Sequence, residues 1–113
     1  MRSDRERLLD ILEAISKIEQ RVSSDIDVFA DDEMQQVWVI HHLQIVGEAA
    51  YGLPQRFRDN HPQIPWDQII GMRHVLVHGY FEIDLDIVWA VIEKDLPPLK
   101  SAIETILHLP DQM

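Results

Sequence analysis

The chain contains no cysteine, which excludes a disulfide framework, a thiolate metal site and a cysteine nucleophile together. Stability must come from packing. Basic residues are scarce as well: 10 Lys and Arg stand against 20 Asp and Glu, for a formal net charge of -10. Binding nucleic acid by bulk attraction needs many cations to neutralise phosphates, so the average surface is unsuited to it. No apolar run approaches the roughly 20 residues that cross a bilayer. The opening MRSDRERLLD mixes both charges and lacks the apolar centre of a signal peptide. These absences lead us to expect a cytoplasmic protein without membrane association. Its 113 residues suit one domain, residues 1–113, large enough to bury a core and too small for two ordinary ones.

What is present is unevenly distributed. Residues 25–33 carry Asp25, Asp27, Asp31, Asp32 and Glu33 with no base, and residues 82–95 carry Glu82, Asp84, Asp86, Glu93 and Asp95 against Lys94 alone. Between residues 54 and 80 the balance reverses: Arg56, Arg58, Arg73, His61, His74 and His78 face only Asp59 and Asp67. The segment richest in reactive side chains is the least acidic one.

Helical periodicity dominates the chain. Ser3 followed by Glu6 is a capping-box pattern, and Leu8, Ile11, Leu12, Ile15, Ile18 and Val22 recur at helical spacing, predicting a helix to about residue 23. The acidic stretch from Asp25 to Glu33 supplies a break and an N-cap. A second helix follows from about Asp32 to Tyr51, apolar on several faces and so expected to pack on more than one neighbour, with Gly52 as its C-cap. Prolines in LPQRFRDNHPQIPW predict a structured loop with one short helical turn. A third helix runs from Pro65 or Trp66 to Gly79. The alternation in FEIDLDI suggests a strand, but nothing else in the chain would pair with it, so a loop leading into a helix capped by Asp84 or Asp86 is the better reading. Pro97 and Pro98 kink or restart that helix, and a last helix runs from Pro98 to His108. The fold class is all-α: about four main helices plus short helical pieces.

The most informative stretch is GMRHVLVHGY, residues 71–80. Its arginine, four intervening residues, histidine, one residue and tyrosine resemble the signature of HepT-like HEPN proteins. The blocks GEAAYGLP, HPQIPWDQIIGMRH and HGYFEIDLDIVWAVIEKDLPPL extend the resemblance over most of the chain. It implies a HEPN-type helical bundle and a homodimer whose Arg and His motifs meet at the subunit interface to form a metal-independent ribonuclease. It further implies the toxin half of a toxin–antitoxin module. The partner would be a minimal nucleotidyltransferase antitoxin that adds AMP to the motif tyrosine, here Tyr80. Asparagine most often follows the arginine in this family; this chain has His74. The family block around Glu48 suggests a buried partner for an arginine, beside the simpler reading as a surface carboxylate.

Helix geometry constrains how these groups can act. At 100° per residue, Arg73 and His78 lie about 140° apart around the axis, whereas His74 and His78 share a face. Convergence needs the helix end or a second chain. RNA cleavage through the 2'-hydroxyl requires a base, an acid and neutralisation of a phosphorane-like transition state. His78 suits proton transfer, since histidine's unperturbed pKa of about 6.5 lies near neutrality. Arg73 suits phosphate positioning and charge stabilisation, and His74 an assisting role. No cofactor is expected.

Other readings stay open. His78 at a helix C-terminus is also where a structural cation is favoured, and Tyr80 can be an ordinary half-buried aromatic with a wet hydroxyl. His74 and His78 have the i, i+4 spacing of a zinc pair, though no pattern supplies a third ligand. A HEPN scaffold that holds a nucleotidyltransferase or a nucleotide without catalysis is the alternative function. His41 and His42, together with Trp38, Trp66 and Trp89, read as core or interface residues.

Overall fold

The structure is a computed structural model that describes residues 2–78 and 83–108, with the backbone alone at 77 and 78. Its described residues are helical or in turns and loops, without a strand. Four longer helices form the frame, as expected: α1 (Asp4–Arg21), α3 (Glu33–Gly52), α5 (Trp66–His78) and α7 (Leu96–His108). Short helices α2 (Ile26–Asp31), α4 (Gln55–Asp59) and α6 (Leu85–Ala90) fill the connections.

Local chemistry explains where α1 begins. The Glu6 N–H donates to Ser3 Oγ at 3.1 Å and the Ser3 N–H donates to Glu6 Oε1 at 3.0 Å, completing the capping box. That backbone donor, with help from the Ser3 hydroxyl, holds the Glu6 carboxyl below its ordinary pKa. Leu8, Ile11, Ile15 and Ile18 then form one stripe with no exposed surface. The helix stops at Arg21, where Val22 turns extended.

The acidic break contains more structure than its composition announces. Asp25 caps α2 by accepting from the Asp27 N–H at 2.8 Å, and α2 delivers Phe29 into the core, its ring centroid 5.3 Å from that of Trp89. A six-residue helix does not persist alone; besides Phe29, the Gln36 amide of α3 holds it by donating to the Phe29 and Ala30 carbonyls at 3.0 and 2.9 Å. Asp32 then caps α3, accepting from the Gln35 backbone N–H and side-chain amide. Those two donors, the side chain foremost, lower its pKa.

α3 is apolar on several faces because it lies between α1 and α5. Val39, Leu43, Val46 and Ala50 have at most trace exposure. Trp38 ties α3 to α1 by donating its indole N–H to the Lys17 carbonyl at 2.9 Å. His42 is buried and donates Nδ1–H to the Trp38 carbonyl at 2.8 Å, whereas its neighbour His41 is exposed. Gly52 departs from its expected role. It remains in the last turn, Leu53 is the C-cap, and the Gly52 backbone is covered by the Arg7 guanidinium.

The proline-rich loop closes around Trp66, whose indole N–H donates to the His61 carbonyl at 3.0 Å with Phe57 packed beside both rings. Past the undescribed residues 79–82, Asp84 rather than Asp86 caps α6, accepting from the Asp86 N–H at 2.9 Å. Ahead of Pro97 and Pro98 the helix widens into a π turn, Val91–Asp95, with the Leu96 N–H bonded to the Val91 carbonyl. Proline rings crowd the carbonyls one turn earlier, and the wider turn moves those carbonyls aside. The chain therefore passes into α7 without a break, with both prolines in its first turn.

No described helix is long and apolar enough to cross a membrane. Because Leu43 is fully buried between α1 and α5, Leu43→Ala should cost about 2–5 kcal/mol in urea unfolding. Val37→Ala, at a half-exposed site on the same helix, should stay within about 0.5 kcal/mol of the parent.

Candidate functional site

The approach of α3 to α5 determines where Arg73 sits. A Cβ built on Gly47 would lie 2.3 Å from Arg73 Cβ and 3.2 Å from its Cα. Only the hydrogen of glycine admits α5 this closely. Once admitted, Arg73 lies across the face of α3 formed by residues 44, 48 and 51, spaced i, i+4 and i+7. Its Nε donates to Glu48 Oε2 in a short contact, and one terminal nitrogen reaches Oε1 at 3.3 Å. The guanidinium carbon stands 5.3 Å from the centre of the Tyr51 ring, a cation–π distance. One turn further along α5, Gln44 donates to the Leu76 carbonyl at 3.3 Å. That carbonyl belongs to the last turn, where helices leave acceptors unmatched.

Glu48 is thus the arginine's partner, as the family block suggested, but it is not buried. Its side chain is 61% exposed and that of Arg73 30%. Exposed ion pairs contribute at most about 1 kcal/mol, so an arriving phosphate can displace the carboxylate at little cost. A fixed arginine with an exchangeable anion is suited to bind a phosphodiester. Arg73 opens onto a groove of about 440 Å³ between α1 and α3, which Arg7 and His41 also line.

The other candidate residues are distributed differently. His74 is exposed, as are Gly71 and Val75, which share its side of α5 by helical spacing. Position 78 follows one turn beyond His74, but the His78 side chain lies outside the described residues, as do Gly79 and Tyr80. The structure thus joins Arg73 to Glu48. No group of three or more potential ligands for a metal ion occurs among the described residues. Sequence reasoning passed over Gln44, Tyr51 and Arg7. The first two were findable: once Glu48 is taken to pair with Arg73, helical spacing brings its neighbours a turn away onto the same face. Nothing in the sequence pointed to Arg7.

Comparison with known proteins converges on one family. The model described as ribonuclease HepT-like matches residues 11–106. The chain is 38% identical over 106 residues to a protein of Thermococcus cleftensis named "Probable ribonuclease HepT", covering 93% of this chain and 96% of that one. It is 35% identical over 100 residues to a "Putative RNase" of Methanocaldococcus jannaschii, covering 88% and 92%. A protein of Caldanaerobacter subterraneus subsp. tengcongensis with the same description is 34% identical over 109 residues, covering 96% and 97%. No solved structure matches the chain at a significant level.

The Gly47 contact predicts a coupled loss. Gly47→Ala should destabilise the fold by about 1–3 kcal/mol, as overpacking does, because its Cβ meets the base of Arg73 rather than a flexible tip. Urea unfolding reads the stability. The weakened affinity of the folded variant for a phosphodiester strand reads the displacement of Arg73.

Proposed function

Since the chain belongs to the HepT-like ribonuclease family, we propose that it is the metal-independent endoribonuclease toxin of a toxin–antitoxin module. Its RNA-cleaving site would form where the Arg73–His78 segments of two subunits meet. The observation that supports this best is the way Arg73 is held: fixed by Gly47 and Tyr51, yet paired only to an exposed carboxylate.

In the proposed reaction a base takes the proton of a ribose 2'-hydroxyl and the 2'-oxygen attacks the adjacent phosphorus. The bond to the 5'-oxygen breaks, that oxygen receives a proton, and a 2',3'-cyclic phosphate remains. His78 is assigned proton transfer, and Arg73 leaves Glu48 to bind the non-bridging oxygens as their charge grows. His74, at the surface beside position 78, would orient the partner histidine or the strand. Within one chain Arg73 turns toward α3 while His74 and Val75 face solvent. A homodimer that covers this side of α5 would set the α5 ends of two chains side by side, with each Arg73 at the edge of the seam. Val75, 60% exposed, would then be buried.

Tyr80 provides the control point. Attack of its hydroxyl oxygen on the α-phosphate of ATP, catalysed by a partner nucleotidyltransferase, would join AMP to the ring and release pyrophosphate. An AMP phosphate two residues from His78 would engage the Arg73 fork and occupy space needed by RNA.

Cleavage of single-stranded RNA by the dimeric protein should persist in excess chelator and leave cyclic phosphate ends. Arg73→Ala should lower the rate by about 10²–10³-fold, and His78→Ala should abolish most of it, each with unchanged circular dichroism. Loss of activity in chelator with recovery on added zinc or manganese would show that the histidines hold a metal. Absence of cleavage in every RNA tested would favour the scaffold function.

For Tyr80, incubation with the partner nucleotidyltransferase and ATP should add mass in units of AMP to the parent protein and none to Tyr80→Phe, which should remain nucleolytic. Equal labelling of both would place the modification elsewhere.

A further inference from the structure

The groove that Arg73 opens onto contains a cation that the proposed chemistry does not use. Arg2, Arg7 and Arg73 line it against Asp10 and Glu48. Two of the arginines are committed: Arg2 to Asp10 at 2.6 Å, and Arg73 to Glu48. Arg7 makes no side-chain hydrogen bond or ion pair among the described residues. Three guanidinium groups against two carboxylates leave the groove positive, with His41 also on its wall, in a chain of net charge -10. The formal charge of the chain is acidic; that of the groove lining is of the opposite sign.

Arg7 is placed as well as uncommitted. A Cβ on Gly52 would stand 2.0 Å from its Nη1 and 2.4 Å from its Cζ, so the guanidinium lies directly on bare backbone at the C-terminal turn of α3. The negative end of the helix dipole favours a cation there. The group thus rests against Gly52 while Arg7 lines the groove. The volume of about 440 Å³ falls within the range of small-ligand sites.

We propose that Arg7 is a phosphate-binding residue that holds the RNA strand beside the scissile phosphate, with Gly52 as its seat. The inference rests on the nuclease reading above: Arg73 takes the reacting phosphodiester, and Arg7 takes a neighbouring phosphate on the same strand, along the groove between α1 and α3. Because that neighbouring phosphate carries no developing charge, Arg7 contributes to binding and not to the chemical step.

The test uses the full-length protein with a single-stranded RNA, and with the 2'-O-methyl form of the same strand, which binds but cannot be cut. Arg7→Gln should raise KM about tenfold, the loss of one charge-assisted contact, with kcat unchanged. Its salt dependence of binding to the 2'-O-methyl strand should flatten by about 0.7 in log–log slope. Arg7→Lys should recover most of the affinity. Gly52→Ala displaces the guanidinium without changing net charge and should shift KM in the same direction. Arg5→Gln, an equal charge change at an exposed site outside the groove, should have a small effect. If Arg7→Gln behaves like Arg5→Gln, or lowers kcat with KM unchanged, the assignment is wrong. If the parent protein cuts no RNA but binds the 2'-O-methyl strand in an Arg7-dependent manner, the nuclease reading fails and the groove stands. If it neither cuts nor binds, both fall.

Discussion

The contact between α3 and α5 at Gly47 is the constraint on which the candidate site depends. Two helices whose side chains interdigitate normally keep their axes about 8–10 Å apart. Here a missing side chain on one helix lies directly under the first two carbons of an arginine on the other. The close approach leaves Arg73 too near α3 to extend freely, so its guanidinium runs along that helix to Glu48 and Tyr51. The packing that fixes the backbone also selects the direction of the charge. A larger residue at position 47 would alter both together.

The frame around this contact is rigid for ordinary reasons. α3 is held on its other side by the α1 stripe of Leu8, Ile11, Ile15 and Ile18, and α7 closes the α1 side with Leu99, Ile103 and Ile106. Burial at this scale is sensitive to single methylene groups. Helix starts are held by local polar ties: Asp25, Asp32 and Asp84 each accept from the backbone two or three residues ahead. The abundance of aspartate in this chain is therefore partly architectural, since these carboxylates start helices.

Charge is used economically. A chain that is acidic overall can still hold a polyanion if several of its cations are gathered in one concave place and their partners are readily displaced. The groove between α1 and α3 meets the first condition. The exposed Glu48 carboxylate meets the second. On the proposed reading, the same acidic surface discourages binding elsewhere and would favour entry of a strand at the groove over indiscriminate attachment.

Periodicity was sufficient to predict α1 and α7, because a stripe of Leu and Ile at 3.6-residue spacing has few other ways to be buried; α3 and α5 were legible as apolar runs bounded by Asp32 and Gly52 and by Pro65 and Gly79. Caps at Ser3, Asp32 and Asp84 were legible for a similar reason: a carboxylate or hydroxyl before an apolar run satisfies donors that the helix itself cannot. The motif around Arg73 was also visible, since its residue types and spacing are local properties of the chain. The short α2 was hidden in an acidic stretch, because what holds it lies outside it: Trp89 against the Phe29 ring and Gln36 on its last carbonyls. Gly52 looked like a helix terminator until Arg7, from the far end of the chain, was found lying over it. The pairing of Arg73 with Glu48, the ring of Tyr51 beneath the guanidinium and the meeting of α1 with α3 around one groove join residues dozens of positions apart. Local sequence patterns determined the helices and the reactive residue types. Which side chains meet was decided by tertiary packing, because the distance between two helices depends on the volume of every side chain between them.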